Sequence, residues 1–213
     1  MDSRSIVAIM FSISRRGRSP RQSGSYRRSW PIINFVLLPA MLATALSAGC
    51  APISNQGRFH LQEAMRYYRQ GLFQEAEQAA TRVIQRDAGS PGVAEAYYLR
   101  GCSRAQLNRP AEAEADLAGA VQRSKRRELS ARAHAYLGSL AAERGQYEQA
   151  CEHLSRAVDE LPARPPLDEV LYRYGLSLQR TGQWPSARQV LARILLKFRG
   201  RPAEEPARRL ISW

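Results

Sequence analysis

Lysine is nearly missing from this chain of 213 residues: Lys125 and Lys197 are the only two, so almost all of its 32 basic residues are arginine. Acidic residues number 19, leaving a formal net charge of +13. Cysteine and histidine occur three times each. So few cysteines exclude a scaffold built on disulfides, and so few histidines argue against a His-rich metal centre. Neither a Walker loop, a G-x-S-x-G elbow, an HExxH pair nor a C-x-x-C pair is present, so the usual constellations for phosphoryl, acyl and zinc chemistry are absent. No catalytic residue, metal or cofactor is therefore expected. Aromatics make up 8% and glycine is ordinary at 14, which excludes collagen-like and low-complexity classes. What is present is a 44% apolar complement, enough to bury a core.

The positive charge is concentrated at the start. Residues 1–50 hold seven Arg against one Asp, and the remainder holds 25 bases against 18 acids. From Ser12 to Ser29 the chain is rich in Ser, Gly and Arg without apolar periodicity, a composition expected to be disordered. An uncharged run follows from Pro31 to Ala48, preceded by Arg27 and Arg28 and closed by small residues. Basic start, apolar centre and small-residue exit make a secretory signal over 1–49. The junction Leu46-Ser47-Ala48-Gly49-Cys50 resembles the lipobox of bacterial lipoproteins, with Ser47 where that family usually has Leu. The resemblance implies that Cys50 is lipidated and becomes the first residue, with 50–57 as a short tether. Ala51 after it, in place of Asp, implies export to the outer membrane. The same run also suits an uncleaved inner-membrane anchor or an ordinary cleaved signal, since it is close to the length that spans a bilayer.

The rest of the chain repeats itself. Ala76, Ala113, Ala150 and Ala187 recur at intervals of 37 residues. In the same register stand Ala64, Gly101, Gly138 and Gly175, then Phe73, Pro110, Tyr147 and Trp184, then Gly71, Asn108, Gly145 and Gly182. Each unit reads as two helices. In the third, Ala133, Leu137, Leu140 and Ala141 share one face, Gly145 stops the first helix at positive φ, and Ala150, Leu154, Ala157 and Val158 repeat the face on the second. Pro162 then breaks the chain. Asn108 takes the glycine place in the second unit, being the next-best residue for that conformation. The small residues Gly138 and Ala150 mark a close helix approach, and Tyr147 and its counterparts are expected to fill the space between hairpins.

This pattern resembles the tetratricopeptide repeat, most fully in the third unit with Leu137, Gly138, Gly145, Tyr147, Ala150, Leu154, Ala157 and Pro162. It implies an all-α fold, an α-solenoid of four helix-turn-helix repeats over 58–201 with a capping helix over 202–213. The usual period is 34 residues. The extra three here are expected to lengthen the turn between hairpins or to add part of a helical turn there. Ala64 and Ala80 depart from the usual small and large residues of their places, as terminal units tend to.

The resemblance also implies a non-enzymatic scaffold whose concave face, lined by the first helices, holds a protein or peptide. That face would display Leu61, Met65, Tyr68 and Arg69, then Tyr98, Cys102 and Gln106, then Arg132, Ser139 and Glu143, then Tyr172, Leu176, Gln179 and Arg180. Tyr and Arg are frequent energetic anchors at interfaces; the plain alternative is a solvated groove with no occupant. Glu112, Glu114 and Asp116 read as an acidic helix start that complements the dipole. Lys125-Arg126-Arg127 reads as a solvated basic turn, or else a contact for an anionic surface. Cys102 and Cys151 fall on helices not expected to be neighbours. The combined expectation is a lipid-anchored, periplasm-facing scaffold of a cell-envelope complex, serving outer-membrane assembly, pilus or secretion machinery, or polysaccharide export. A repeat adaptor, cytosolic or anchored in the inner membrane, whose basic tail meets nucleic acid or an anionic membrane is the alternative. The first reading expects no nucleic acid.

Overall fold

Glycine or asparagine at positive φ divides each repeat. The computed structural model describes residues 52–211. Its described helices are α1 (Asn55–Arg69), α2 (Phe73–Arg86), α3 (Val93–Gln106), α4 (Pro110–Arg123), α5 (Arg127–Glu143), α6 (Tyr147–Glu160), α7 (Leu167–Arg180), α8 (Trp184–Lys197) and α9 (Glu204–Ile211). The described residues contain no strand. The apolar run and Cys50 lie outside them. No described helix is long and apolar enough to cross a membrane.

The four turns inside the hairpins are copies of one another. Gly71, Gly145 and Gly182 have φ 76° and Asn108 has φ 58°. The next residue in each turn donates its N–H back across the helix end: Leu72 to Tyr67 O, Arg109 to Arg104 O, Gln146 to Ala141 O and Gln183 to Leu178 O, at 2.8–2.9 Å. This six-to-one bond satisfies a carbonyl the helix would otherwise leave open. The expected termination at these four positions is therefore what the backbone adopts.

Spacing between hairpins takes both expected forms. Six-residue turns, Asp87–Gly92, Leu161–Pro166 and Phe198–Ala203, separate three of the joints. At the fourth, α5 begins early and only Ser124, Lys125 and Arg126 intervene. The tether expected to reach Gly57 is shorter: Ser54 caps α1, accepting from Gly57 N at 2.9 Å. Its hydroxyl also donates to Asp87 Oδ2 at 2.9 Å, tying the chain entry to the turn after α2.

The hairpins close by a glycine–leucine interlock. A Cβ on Gly138 would stand 2.5 Å from Leu154 Cγ, and one on Gly175 would stand 2.5 Å from Leu191 Cγ. The place is tight on Gly101 too, with Leu117 Cγ at 2.8 Å. Leu117, Leu154 and Leu191 are wholly buried. In the first hairpin both partners change together: Ala64 supplies the methyl that the others lack, and Ala80 gives up the bulk of the leucine. Both are fully buried in one apolar cluster with Leu61, Ala79, Val83 and Leu99.

Neighbouring hairpins then stack, each second helix packing on the next first helix, so that α1, α3, α5 and α7 adjoin along one side. Helix α9 packs on α8 and reaches α7, where Gln179 Nε2 donates to Leu210 O at 3.1 Å. The residue expected to fill the space between hairpins does so unevenly. Tyr147 is half-buried under the Arg180 guanidinium, 5.8 Å from the ring centre, and Phe73 meets Tyr68 edge-on. Trp184 is 59% exposed, in a shallow cleft beside Gln179 and Leu210.

One seam is polar. Asp116 on α4 is buried and accepts from Arg100 Nη2 at 2.6 Å, Arg100 Nε at 2.8 Å and Arg104 Nη1 at 2.9 Å. Arg104 Nε donates to Glu77 Oε1 on α2 at 2.8 Å, and Arg109 joins Glu77 to Glu112. The expected acidic helix start is thus an ionic clamp across α2, α3 and α4. Asp116 serves as its hub.

Candidate functional site

The first helices place two adjoining clefts along their shared side. The smaller, about 390 Å³, is lined by Met65, Tyr68 and Arg69 of α1, by Glu95, Tyr98 and Leu99 of α3, and by Arg126, Glu128, Leu129 and Arg132 at the start of α5. The larger, about 550 Å³, runs from Tyr98, Ala105 and Gln106 over Arg132, Tyr136, Ser139, Leu140 and Glu143 to Glu169, Val170 and Arg173 of α7. Tyr98 and Arg132 border both, so the clefts are consecutive lengths of one groove.

Phenols form the floor. Tyr68, Tyr98 and Tyr136 pack against the apolar cluster of Cys102, Leu137 and Leu140, and Gln106 Nε2 donates to the Tyr136 hydroxyl at 3.0 Å. Burial first, then neighbouring groups, raise the Tyr68 and Tyr98 phenols far above their ordinary value, so both remain neutral donors. Burial pushes Cys102 up to about 12, which leaves it a packed thiol with little nucleophile in it.

Charges on the walls are paired with one another. Arg126 bonds Glu95, Arg132 bonds Glu128 at 2.7 Å, and Arg173 bonds Glu169 at 3.0 Å with Glu143 at 3.5 Å. Arg132 first, then Arg164, hold Glu128 below the usual carboxylate range against some desolvation. Such exposed pairs add little stability. They do give the groove alternating sign along its length, with Arg69 at one end outside any of these pairs.

The expected groove residues divide. Met65, Tyr68, Arg69, Tyr98, Gln106 and Arg132 line the two clefts. Leu61 does not: it is buried at 8% exposure in the first hairpin's core. It shares a register position with Tyr98, but its shorter side chain ends inside the apolar cluster. Cys102 is likewise core, at 1% exposure. Tyr172 occupies the register position of Tyr98 two repeats on, yet it lies beside Glu205, Pro206, Arg209 and Leu210, under the edge of α9. Arg180 leans over Tyr147 instead of facing the groove. Leu176 is half-buried and lines neither cleft.

Glu95, Arg126, Glu128, Tyr136, Glu169 and Arg173 line the groove without having been expected there. The register held a signal for some of them. Glu95, Arg132 and Glu169 stand at one repeat position, and Tyr136 and Arg173 at another. Carrying Arg132 forward and back by one period finds its neighbours. Arg126 needed the early start of α5, which turns part of the expected solvated basic cluster into a groove wall.

Elsewhere, His134 and His153 approach with their Nδ1 atoms 3.1 Å apart. Cys102 and Cys151 are free thiols on helices that do not touch. No group of three His, Cys, Asp or Glu side chains able to hold a metal ion occurs among the described residues.

Comparison with known proteins agrees with this geometry. One tetratricopeptide repeat model matches residues 61–126 and again 98–165, and a second matches 169–200. No curated protein matches significantly by sequence. A tetratricopeptide repeat protein from Parabacteroides merdae is similar in structure at TM-score 0.62 and 16% identity, over 75% of this chain and 60% of its own. The chain therefore spans somewhat over half of that relative's length. The pilF protein of Pseudomonas aeruginosa is similar at TM-score 0.59 and 20% identity, over 74% of this chain and 75% of its own. MamA is similar at TM-score 0.57 and 20% identity, over 67% of this chain and 78% of its own. At these identities the likeness is one of fold. Together the repeat models account for most of residues 61–200, and the chain belongs to the tetratricopeptide repeat family.

Proposed function

We propose that this chain is a lipid-anchored, periplasm-facing adaptor that holds a protein or peptide partner of a cell-envelope complex in the groove of its first helices. The observation that carries the reading is the continuity of the two clefts at Tyr98 and Arg132. An extended segment laid there meets neutral phenols on the floor and charges of both signs on the walls. Apolar and aromatic residues of the partner would sit on Tyr98 and Tyr136, with its own charges exchanging into the Arg132–Glu128 and Arg173–Glu169 pairs. The anchor is supported by the small residues before Cys50 at the end of an apolar run. Two or three acyl chains would hold the protein firmly where one would not.

Two measurements test the two halves separately. Tyr136→Ala combined with Arg132→Ala removes groove contacts from half-buried and exposed positions. It is expected to leave the melting temperature within a few degrees of wild type. Partner capture from native membranes should weaken by ~1–2 kcal/mol for each true anchor. Unchanged capture by a folded variant places the binding surface elsewhere. Cys50→Ser is expected to release the chain from membranes or block its maturation. Unchanged size and membrane fractionation would remove the lipid anchor and leave the groove reading standing.

A further inference from the structure

The outer face of α1 is basic and carries no acid. Arg58, Gln62, Met65 and Arg69 succeed one another at helical spacing, with Phe59 and Arg66 beside them. The core side of the helix, Gly57, Leu61 and Ala64, lies opposite. Arg58, Arg66 and Arg69 are exposed and make no ion pair, whereas Arg126, Arg132 and Arg173 farther along the groove and Arg100 and Arg104 of the polar seam are paired with carboxylates. The Arg66 guanidinium sits over its neighbour Tyr67, 5.2 Å from the ring centre. The one acid of the helix, Glu63, is on the flank and engaged by His60 at 2.9 Å. Phe59 stands 58% exposed at the edge of the patch. The result is a helix face with three free cations, one aromatic ring and no acid.

Its position in the chain decides the partner. Only Ala51, Pro52, Ile53 and Ser54 separate Cys50 from the start of α1. Fully extended, those residues span at most roughly 14 Å, under two of the ~8 Å screening lengths over which a charged surface acts at physiological salt. A lipid anchor on Cys50 would keep this face within that reach of the headgroups. An arginine near an anionic bilayer gains attraction from its surface potential, and an exposed aromatic ring favours the interface.

We propose that the outer face of α1 lies flat against anionic phospholipid, with Arg58, Arg66 and Arg69 on headgroup phosphates and Phe59 at the interface. The inference rests on membrane anchorage from the reading above. In this pose the stack stands on its first helix, with Met65 and Arg69 at the end of the groove nearest the bilayer and the rest of the groove running away from it along the solenoid.

The test uses the full chain, extracted with its native anchor and reconstituted into two kinds of vesicle. One is phosphatidylcholine alone; the other is equal parts phosphatidylcholine and phosphatidylglycerol. Flotation with the uncharged vesicles reports the anchor. Hydrogen–deuterium exchange of residues 55–70 reports the face. The expected result is exchange several-fold slower on the anionic vesicles than on the uncharged ones, with the difference abolished by high salt and by Arg58→Glu/Arg66→Glu/Arg69→Glu. The same charge change at the far end, Arg188→Glu/Lys197→Glu/Arg199→Glu, should leave it intact, with matched melting temperatures confirming both folds. Flotation without lipid-dependent protection overturns the proposal and keeps the anchor. Protection equal on both vesicles overturns it as well, because charge is then not the cause. Flotation with anionic vesicles alone, lost in the α1 triple variant, supports the face and removes the anchor. No flotation with either removes both.

Discussion

Single residues set how closely the helices of each hairpin approach. Gly138 and Leu154 form one lock, and Ala64 with Ala80 form the same lock with the methyl groups redistributed. Gly138→Ala should therefore lower stability by ~1–3 kcal/mol through overpacking, even though alanine is the better helix former. In the first hairpin Ala80→Leu should be destabilising alone and partly rescued by Ala64→Gly. A double-mutant cycle from urea melts of all four variants measures the coupling, and strict additivity would contradict the lock. The histidine pair sets a second residue-scale behaviour. Desolvation first, then the facing His153 and Arg156, depress His134 below its ordinary value, with Glu152 opposing. Desolvation and Arg156 also depress His153, against Glu152 and Glu114. Folded pKa values below the unfolded one, about 6.5, mean that the unfolded chain binds protons first. The stability held by the neutral pair is complete above that pH and is lost as pH falls through the folded values. Melting temperature followed downward from pH 7 should drop more steeply for wild type than for His153→Gln. Parallel curves would contradict the assignment.

At the scale of elements, two carboxylates join three helices: Asp116 ties α4 to α3, and Glu77 carries the network on to α2. Asp116 is buried and holds Arg100 and Arg104, which are themselves mostly covered. A buried ion pair is weak evidence for stability while intact, but removing one partner strands the other charge. Asp116→Ala should thus cost ~3–5 kcal/mol, far more than an exposed pair such as Arg156–Glu152, whose loss should change stability by less than ~1 kcal/mol. Chemical denaturation of the two variants side by side tests the contrast, and equal small effects would show that water reaches the seam. The turns are the other element-level device. Each hairpin ends its first helix with the same six-to-one bond, so the two helices always leave the turn in the same relation. That constancy allows four sequence-divergent hairpins to stack in one register.

Across the whole molecule, stacking turns four marginal hairpins into a single repeat array, since each contacts only its neighbours. The same stacking brings the first helices to one side, where residues remote in sequence, such as Met65 and Arg132, border a common cleft. Its two ends differ in kind. Helix α9 packs on α8 and reaches α7, while α1 packs on α2 and α3 alone among the described helices. The repeat register was legible in the sequence because 37-residue recurrence is a property of residue order: the turn glycines with Asn108, the helix pairs and the small residues at close approach all follow from it. Local rules carry those features, since positive φ favours glycine wherever it occurs and a helix face repeats with its own period. The groove was legible in part. Met65, Tyr68, Arg69, Tyr98, Gln106 and Arg132 could be placed by register, but Leu61, Tyr172 and Arg180 could not, because register assigns a direction and not a neighbour. Whether a side chain at a groove position reaches open space depends on its length and on what the next helix covers. Only the tertiary structure decided that Leu61 is core, that α9 shields Tyr172, that Ala64 and Ala80 compensate each other, and that Asp116 is a hub. Each of these is a contact between helices, fixed by close packing in three dimensions and written in no single stretch of chain.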